Sequence, residues 1–164
     1  MYLHKCRKQV HRDIKPDNVL VNIDGEVKLT DFGISKSLDQ TLKMCNTFVG
    51  TTLYMSPERM DGTSYSYPGD IWSLGLVVIE MATGEYPYPP LKGFIELFQF
   101  IKMNPAPLLP ANAGFSPEMR DFVERCMQKD PALRDTAVEL SAHPWILKYS
   151  GGEDYELEDF AEHI

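Results

Sequence analysis

The sequence predicts a mainly α fold of the α+β kind, with one short β-hairpin near the N-terminus and a run of helices behind it. Two observations carry this. Val19-Leu20-Val21 and Val27-Lys28-Leu29 are strand-like triplets flanking the turn signal Asp24-Gly25. From Ser56 onward, apolar residues recur at helical spacing behind helix-start signals. With 164 residues, 43% of them apolar, the chain is long enough to bury one core. No internal repeat or low-complexity linker divides residues 1–148, which therefore read as one domain, followed by an acidic tail over 149–164.

Each element has a local cause. Residues 31–54 show little periodicity and many Ser, Thr and Gly, which predicts a long loop, and long loops in compact domains tend to be functional. Ser56-Pro57-Glu58 supplies an N-cap, a proline for the first turn and an acid at the positive end of the helix. The segment from Ile71 to Ala82 is apolar on nearly every face, as in a helix buried mid-domain. Phe94, Leu97, Phe98 and Ile101 mark an amphipathic helix. Ser116-Pro117-Glu118 repeats the start signal ahead of Met119, Phe122, Val123 and Cys126, and Thr136 with Glu139 spells a capping box. Gly151-Gly152 then breaks the chain before the tail, where Tyr155, Leu157 and Phe160 stand among acids.

Composition excludes some functions. The 24 acidic and 16 basic side chains give a net charge of −8, which argues against a nucleic-acid surface. Cys6, Cys45 and Cys126 are odd in number and far apart, with no metal-ligand spacing. They read as reduced thiols of a cytoplasmic protein. Met1 to Lys5 lacks the apolar stretch of a signal peptide, and the run Leu76 to Ile79 is far too short to span a bilayer.

The chemistry concentrates in His11-Arg12-Asp13-Ile14-Lys15-Pro16-Asp17-Asn18, followed by the hairpin and then Asp31-Phe32-Gly33. Together, at this separation, these motifs resemble the catalytic and metal-binding loops of protein kinases. Ser56-Pro57-Glu58 stands where that family usually has Ala-Pro-Glu, and Asp70-Ile71-Trp72-Ser73-Leu74-Gly75 resembles the start of its central buried helix. Arg134 matches the arginine that pairs with the motif's glutamate, here Glu58. The resemblance covers residues 1 to about 148 and implies the C-terminal large lobe of the kinase fold, with the hairpin at the active site. The N-terminal lobe is expected to be absent: no Gly-rich loop or strand lysine precedes His11.

The resemblance also implies roles. Asp13 would orient the substrate hydroxyl and accept its proton, and Lys15 would neutralise the moving phosphoryl group. Asn18 and Asp31 would ligate the Mg2+ that accompanies ATP, which suits a hard cation with few protein ligands. Leu20 would floor the adenine, Thr51 would bridge Asp13 and Lys15, and His11 and Phe32 would stack in a spine anchored on Asp70. Gly33 completes the metal motif. Asp70 is expected as a helix N-cap, and Glu58 and Arg134 as a buried ion pair. Asp17, Asp24 and Asp39 read as turn formers.

Lys15, Gly50-Thr51 and the run from Phe48 to Arg59 resemble the mitogen-activated protein kinase kinases. That implies a dual-specificity serine/threonine kinase acting on a downstream mitogen-activated protein kinase, under an upstream kinase kinase kinase. Thr47 matches the family's second activating phosphorylation site, and Thr41 stands at the spacing of plant members. Arg12 and Lys36 would form the phosphate pocket. The tail would be a docking segment. Lacking the nucleotide clamp, the chain is expected to be inactive alone; the alternative is a non-catalytic binding module that competes for cascade partners.

Overall fold

Helix-start chemistry positions most of the structure. A computed structural model describes residues 1–24, 26–31, 52–62 and 66–150. The chain opens in a short helix, α1 (Tyr2–Lys5), then runs through a loop and a 3-10 turn (Pro16–Asn18) into strand β1 (Val19–Val21). Strand β2 (Val27–Leu29) pairs antiparallel with it, setting Val19 opposite Leu29 and Val21 opposite Val27. Among the described residues six helices follow: α2 (Pro57–Met60), α3 (Tyr67–Thr83), α4 (Phe94–Met103), α5 (Pro117–Cys126), α6 (Ala137–Ser141) and α7 (Pro144–Tyr149).

The start signals work as the sequence implies, with three corrections. The Ser116 hydroxyl accepts from the Met119 N–H, and Thr136 and Glu139 close a full capping box. Ser56 occupies the N-cap position of α2, but its side chain does not cap. The central helix, expected from Ile71, begins at Tyr67 because a proline in the first turn needs no N–H partner. Asp70 is consequently not an N-cap; Ser66 holds that position, and the Asp70 carboxylate is used elsewhere. Helix α7 runs through Tyr149, and the tail residues 151–164 lie outside the described residues.

The core sits around α3. Trp72, Leu76 and Ile79 pack with Leu97 and Ile101 of α4, Phe122, Val123 and Cys126 of α5, and Met55 and Leu140. Gly75 makes the α3–α5 approach possible: a Cβ there would stand 2.6 Å from Met127 Sδ and 2.9 Å from Cys126 Cβ. Burial pushes the Cys126 thiol up to about 12, so it is a core side chain rather than a nucleophile. Tyr54, Tyr86, Tyr88 and Phe100 form a ladder of edge-on rings. The Tyr86 hydroxyl donates to the Leu53 carbonyl, fixing the 52–55 segment to the core. The hairpin is the opposite case, with Leu20, Val21 and Val27 exposed by 54%, 58% and 59%.

Candidate active site

One carboxylate organises the 11–18 loop. Asp70, buried in the first turn of α3, accepts the backbone N–H of His11 at 2.7 Å and of Arg12 at 2.9 Å. Its Oδ2 also meets His4 Nε2 from α1 at 2.8 Å. Arg12 lies at φ +74°, in the left-handed region that side chains rarely adopt. Such a conformation costs about 1–3 kcal/mol and persists only where its surroundings over-determine it. Here the charge-assisted bonds to Asp70 hold the Arg12 N–H, and Arg59 Nη1 donates to its carbonyl at 2.6 Å.

His11 fixes the next residue. Its Nε2 lies 3.0 Å from the Thr30 carbonyl, and its Nδ1 faces the Asp13 N–H at 3.4 Å. These two contacts together require the proton on Nε2, so the ring bridges the loop and the end of β2.

Asp13, Lys15 and Asn18 then converge. Asn18 Nδ2 donates to the Asp13 carbonyl at 2.7 Å and to Asp13 Oδ2 at 3.2 Å. Lys15 Nζ stands 3.3 Å from the same Oδ2. Asp13 keeps 28% of its side chain exposed and Lys15 17%, which leaves the carboxylate reachable from outside. The Asn18 carbonyl accepts from the Thr30 N–H at 2.9 Å, locking the cluster to the hairpin.

Those bonds bear on metal binding. With Nδ2 committed to Asp13, Asn18 Oδ1 has no partner among the described residues. Asp31, exposed and at φ +53°, makes no hydrogen bond among them either. Two hard oxygens of this kind fit magnesium, which keeps waters and phosphate oxygens rather than a protein cage. The described residues hold no group of three or more His, Cys, Asp or Glu able to bind a metal.

Behind the loop, Arg134 Nη1 and Nη2 grip Glu58 at 2.8 and 3.1 Å. Nη1 also donates to the Pro68 carbonyl and Nε to that of Gln128, and the guanidinium lies 5.2 Å from the Trp72 ring centre. The pair thus ties α2, the start of α3 and the segment after α5 together.

Of the residues expected at the site, Leu20 is described and exposed, whereas Phe32, Gly33, Lys36, Thr41, Thr47 and Thr51 lie outside the described residues. Sequence reasoning missed His4 and Arg59. Each acts through a contact distant in sequence, and the only hint was polarity at the edges of short helices.

Residues 1–146 match the family model of the protein kinase domain, so the chain belongs to the protein kinase domain family. Within that family it is similar to mitogen-activated protein kinase kinase 3 of Arabidopsis thaliana, at 51% identity over 99% of this chain and 31% of that protein. It is also similar to mitogen-activated protein kinase kinase 2 of the same plant, at 50% identity over 91% of this chain and 42% of that protein. The Drosophila melanogaster dual specificity mitogen-activated protein kinase kinase dSOR1 is 42% identical over 90% of this chain and 43% of that protein. The chain therefore spans less than half the length of these relatives. No helix among the described residues is long and apolar enough to cross a membrane.

Proposed function

We propose that this chain is the C-terminal lobe of a protein kinase of the mitogen-activated protein kinase kinase type, with residues 1–148 as the partial catalytic domain. In the whole protein it transfers the ATP γ-phosphate to Thr and Tyr of a downstream kinase. The observation that carries this is the convergence of Lys15 Nζ and Asn18 Nδ2 on Asp13 Oδ2, at 3.3 and 3.2 Å, on a backbone held by Asp70.

Phosphoryl transfer needs positioning and charge neutralisation more than covalent help. Asp13 orients the attacking hydroxyl and holds its proton on the exposed carboxylate. The Asn18 amide keeps that carboxylate in one rotamer. Lys15, a mobile point charge, follows the phosphoryl group from Asp13 to the product. Asn18 Oδ1 and Asp31 would hold magnesium, which neutralises phosphate oxygens when bound. Leu20 supports the adenine and Thr51 steadies Asp13 and Lys15. His11, with Phe32 and Gly33, couples the two motifs. Phosphate on Thr47, with Thr41 as its partner, orders the 31–54 loop through Arg12 and Lys36 after action by an upstream kinase. The place of action is the cytoplasm.

The test uses the full-length protein, magnesium-ATP and an inactive mitogen-activated protein kinase. Asp13→Asn should lower kcat by about 10²–10⁴ with the melting temperature unchanged. Phosphorylation at the unmodified rate would refute the assignment. A second reading, a non-catalytic module that competes for cascade partners, is favoured for the isolated chain by its exposed apolar hairpin. The 164-residue chain alone should give no phosphorylation in the same assay. Robust transfer that Asp13→Asn abolishes would eliminate that second reading.

A further inference from the structure

We propose that a built hydration site lies where the 11–18 loop, α2 and α3 meet: one ordered water bound to the Ser56 hydroxyl. Ser56 is 1% exposed, and its Oγ has no hydrogen-bond partner among the described residues. A buried hydroxyl left so is destabilising by about 1–3 kcal/mol, and native structures rarely tolerate it without water. The hydroxyl lines a small cavity of about 10 Å³, whose walls include Arg12, Glu58, Arg59, Gly69 and Ser73.

The volume selects the ligand. A space of about 10–15 Å³ accommodates the centre of a single water molecule. Phosphate and sulfate have five heavy atoms and do not fit, although two arginines, Arg12 and Arg59, line the cavity. The walls also offer enough partners. Ser73 Oγ donates to the Tyr54 carbonyl at 2.7 Å and retains lone pairs, and the Glu58 carboxylate lies beside Gly69. A water accepting from Ser56 and donating to Ser73 and a carboxylate makes three bonds, the usual number for a buried water.

Gly69 keeps the space open. A Cβ at that position would stand 3.3 Å from Ser56 Oγ and 3.8 Å from Glu58 Oε1. The water fastens the end of the 52–56 segment to α3 directly behind Arg12, whose left-handed backbone needs rigid surroundings. This inference does not rest on the kinase reading, and its test reads structure and stability only.

The sign of one measurement separates a wet cavity from a dry one. In a dry cavity, Ser56→Ala removes an unsatisfied hydroxyl and leaves Tm unchanged or higher. In a hydrated one it strips the water of a partner, and Tm of the full-length protein falls by about 2–4 °C. A crystal structure of the unmodified full-length protein should show a water peak within hydrogen-bonding distance of Ser56 Oγ. In Gly69→Ala, whose methyl group enters the cavity, the peak should be gone. A Tm for Ser56→Ala that is unchanged or raised, or a map without the peak in the unmodified protein, overturns the proposal.

Discussion

The loop from His11 to Asp31 and the helical body around α3 are stabilised by opposite means. The body buries Trp72, Leu76, Ile79, Phe122 and Val123 almost completely, and its close approach depends on a glycine. The loop buries little apolar surface. It holds two left-handed residues, Arg12 and Asp31, and its order comes from hydrogen bonds aimed at it from α3 and α2, with His4 of α1 bonded to the Asp70 carboxylate that makes two of them. A hydrophobic core is non-directional and tolerates small shifts, whereas a reactive carboxylate must be fixed in orientation. Asp70 joins the two regimes, since its helix belongs to the core and its carboxylate to the loop.

The strongest way to break this contrast is at Arg134. Removing one partner of a buried ion pair leaves the other charge uncompensated, an effect of about 3–5 kcal/mol. The Arg134 side chain is 0% exposed and Glu58 only 12%, so Arg134→Ala should destabilise the whole protein by that order in urea unfolding. The loss should fall on α2, α3 and the segment after α5 together, in one cooperative transition. A midpoint near that of the unmodified protein would mean the body does not depend on this pair.

A smaller effect sharpens the contrast from the packing side. Gly75→Ala puts a methyl group 2.9 Å from Cys126 Cβ, which its short side chain cannot swing away, and 2.6 Å from the more adaptable Met127 Sδ. Overpacking of this kind is destabilising by about 1–3 kcal/mol. The expected result is a lower urea midpoint with unchanged kcat for the folded molecules, since no residue of the Asp13 cluster touches this seam. A fall in kcat with the midpoint intact would show that the α3–α5 seam governs the loop, contrary to the division drawn above.

The body was largely legible in the sequence and the loop only in its chemistry. The hairpin, the α5 cap at Ser116 and the Thr136–Glu139 box depend on neighbours within a few residues, and pattern alone gives them. The Glu58–Arg134 pair is 76 residues apart and was reached only through the family resemblance. The expectation of Asp70 as a cap fails because an acid near a helix start is ordinarily one; its link to His11 was reached only through the family resemblance, since nothing local says that its acceptors face a loop 59 residues earlier. His4 and Arg59 were invisible for the same reason: their partners are backbone atoms and carboxylates brought close only by folding.

The mildest test compares the buried pair with an exposed one. Asp121 on α5 accepts from His143 Nε2 at 2.9 Å and from Arg125 Nε at 2.9 Å. The His143 hydrogen bond, followed by the Arg125 bond and charges, holds its carboxyl below the usual aspartate value. His143 Nδ1 in turn accepts from the Trp145 N–H, so the contact steadies the start of α7. A carboxylate with a depressed folded pKa adds stability that is present above the unfolded value of about 4 and is lost as pH falls through the folded pKa. Asp121→Asn should therefore lower the urea midpoint at pH 7, and the deficit should shrink as both proteins are acidified below about pH 4. Because the Asp121 side chain is 50% exposed, water and salt screen the contact, and the effect should be the smallest of the set and weaken further at high ionic strength. A deficit that stays constant from neutral to acidic pH would assign the role of Asp121 to shape rather than charge.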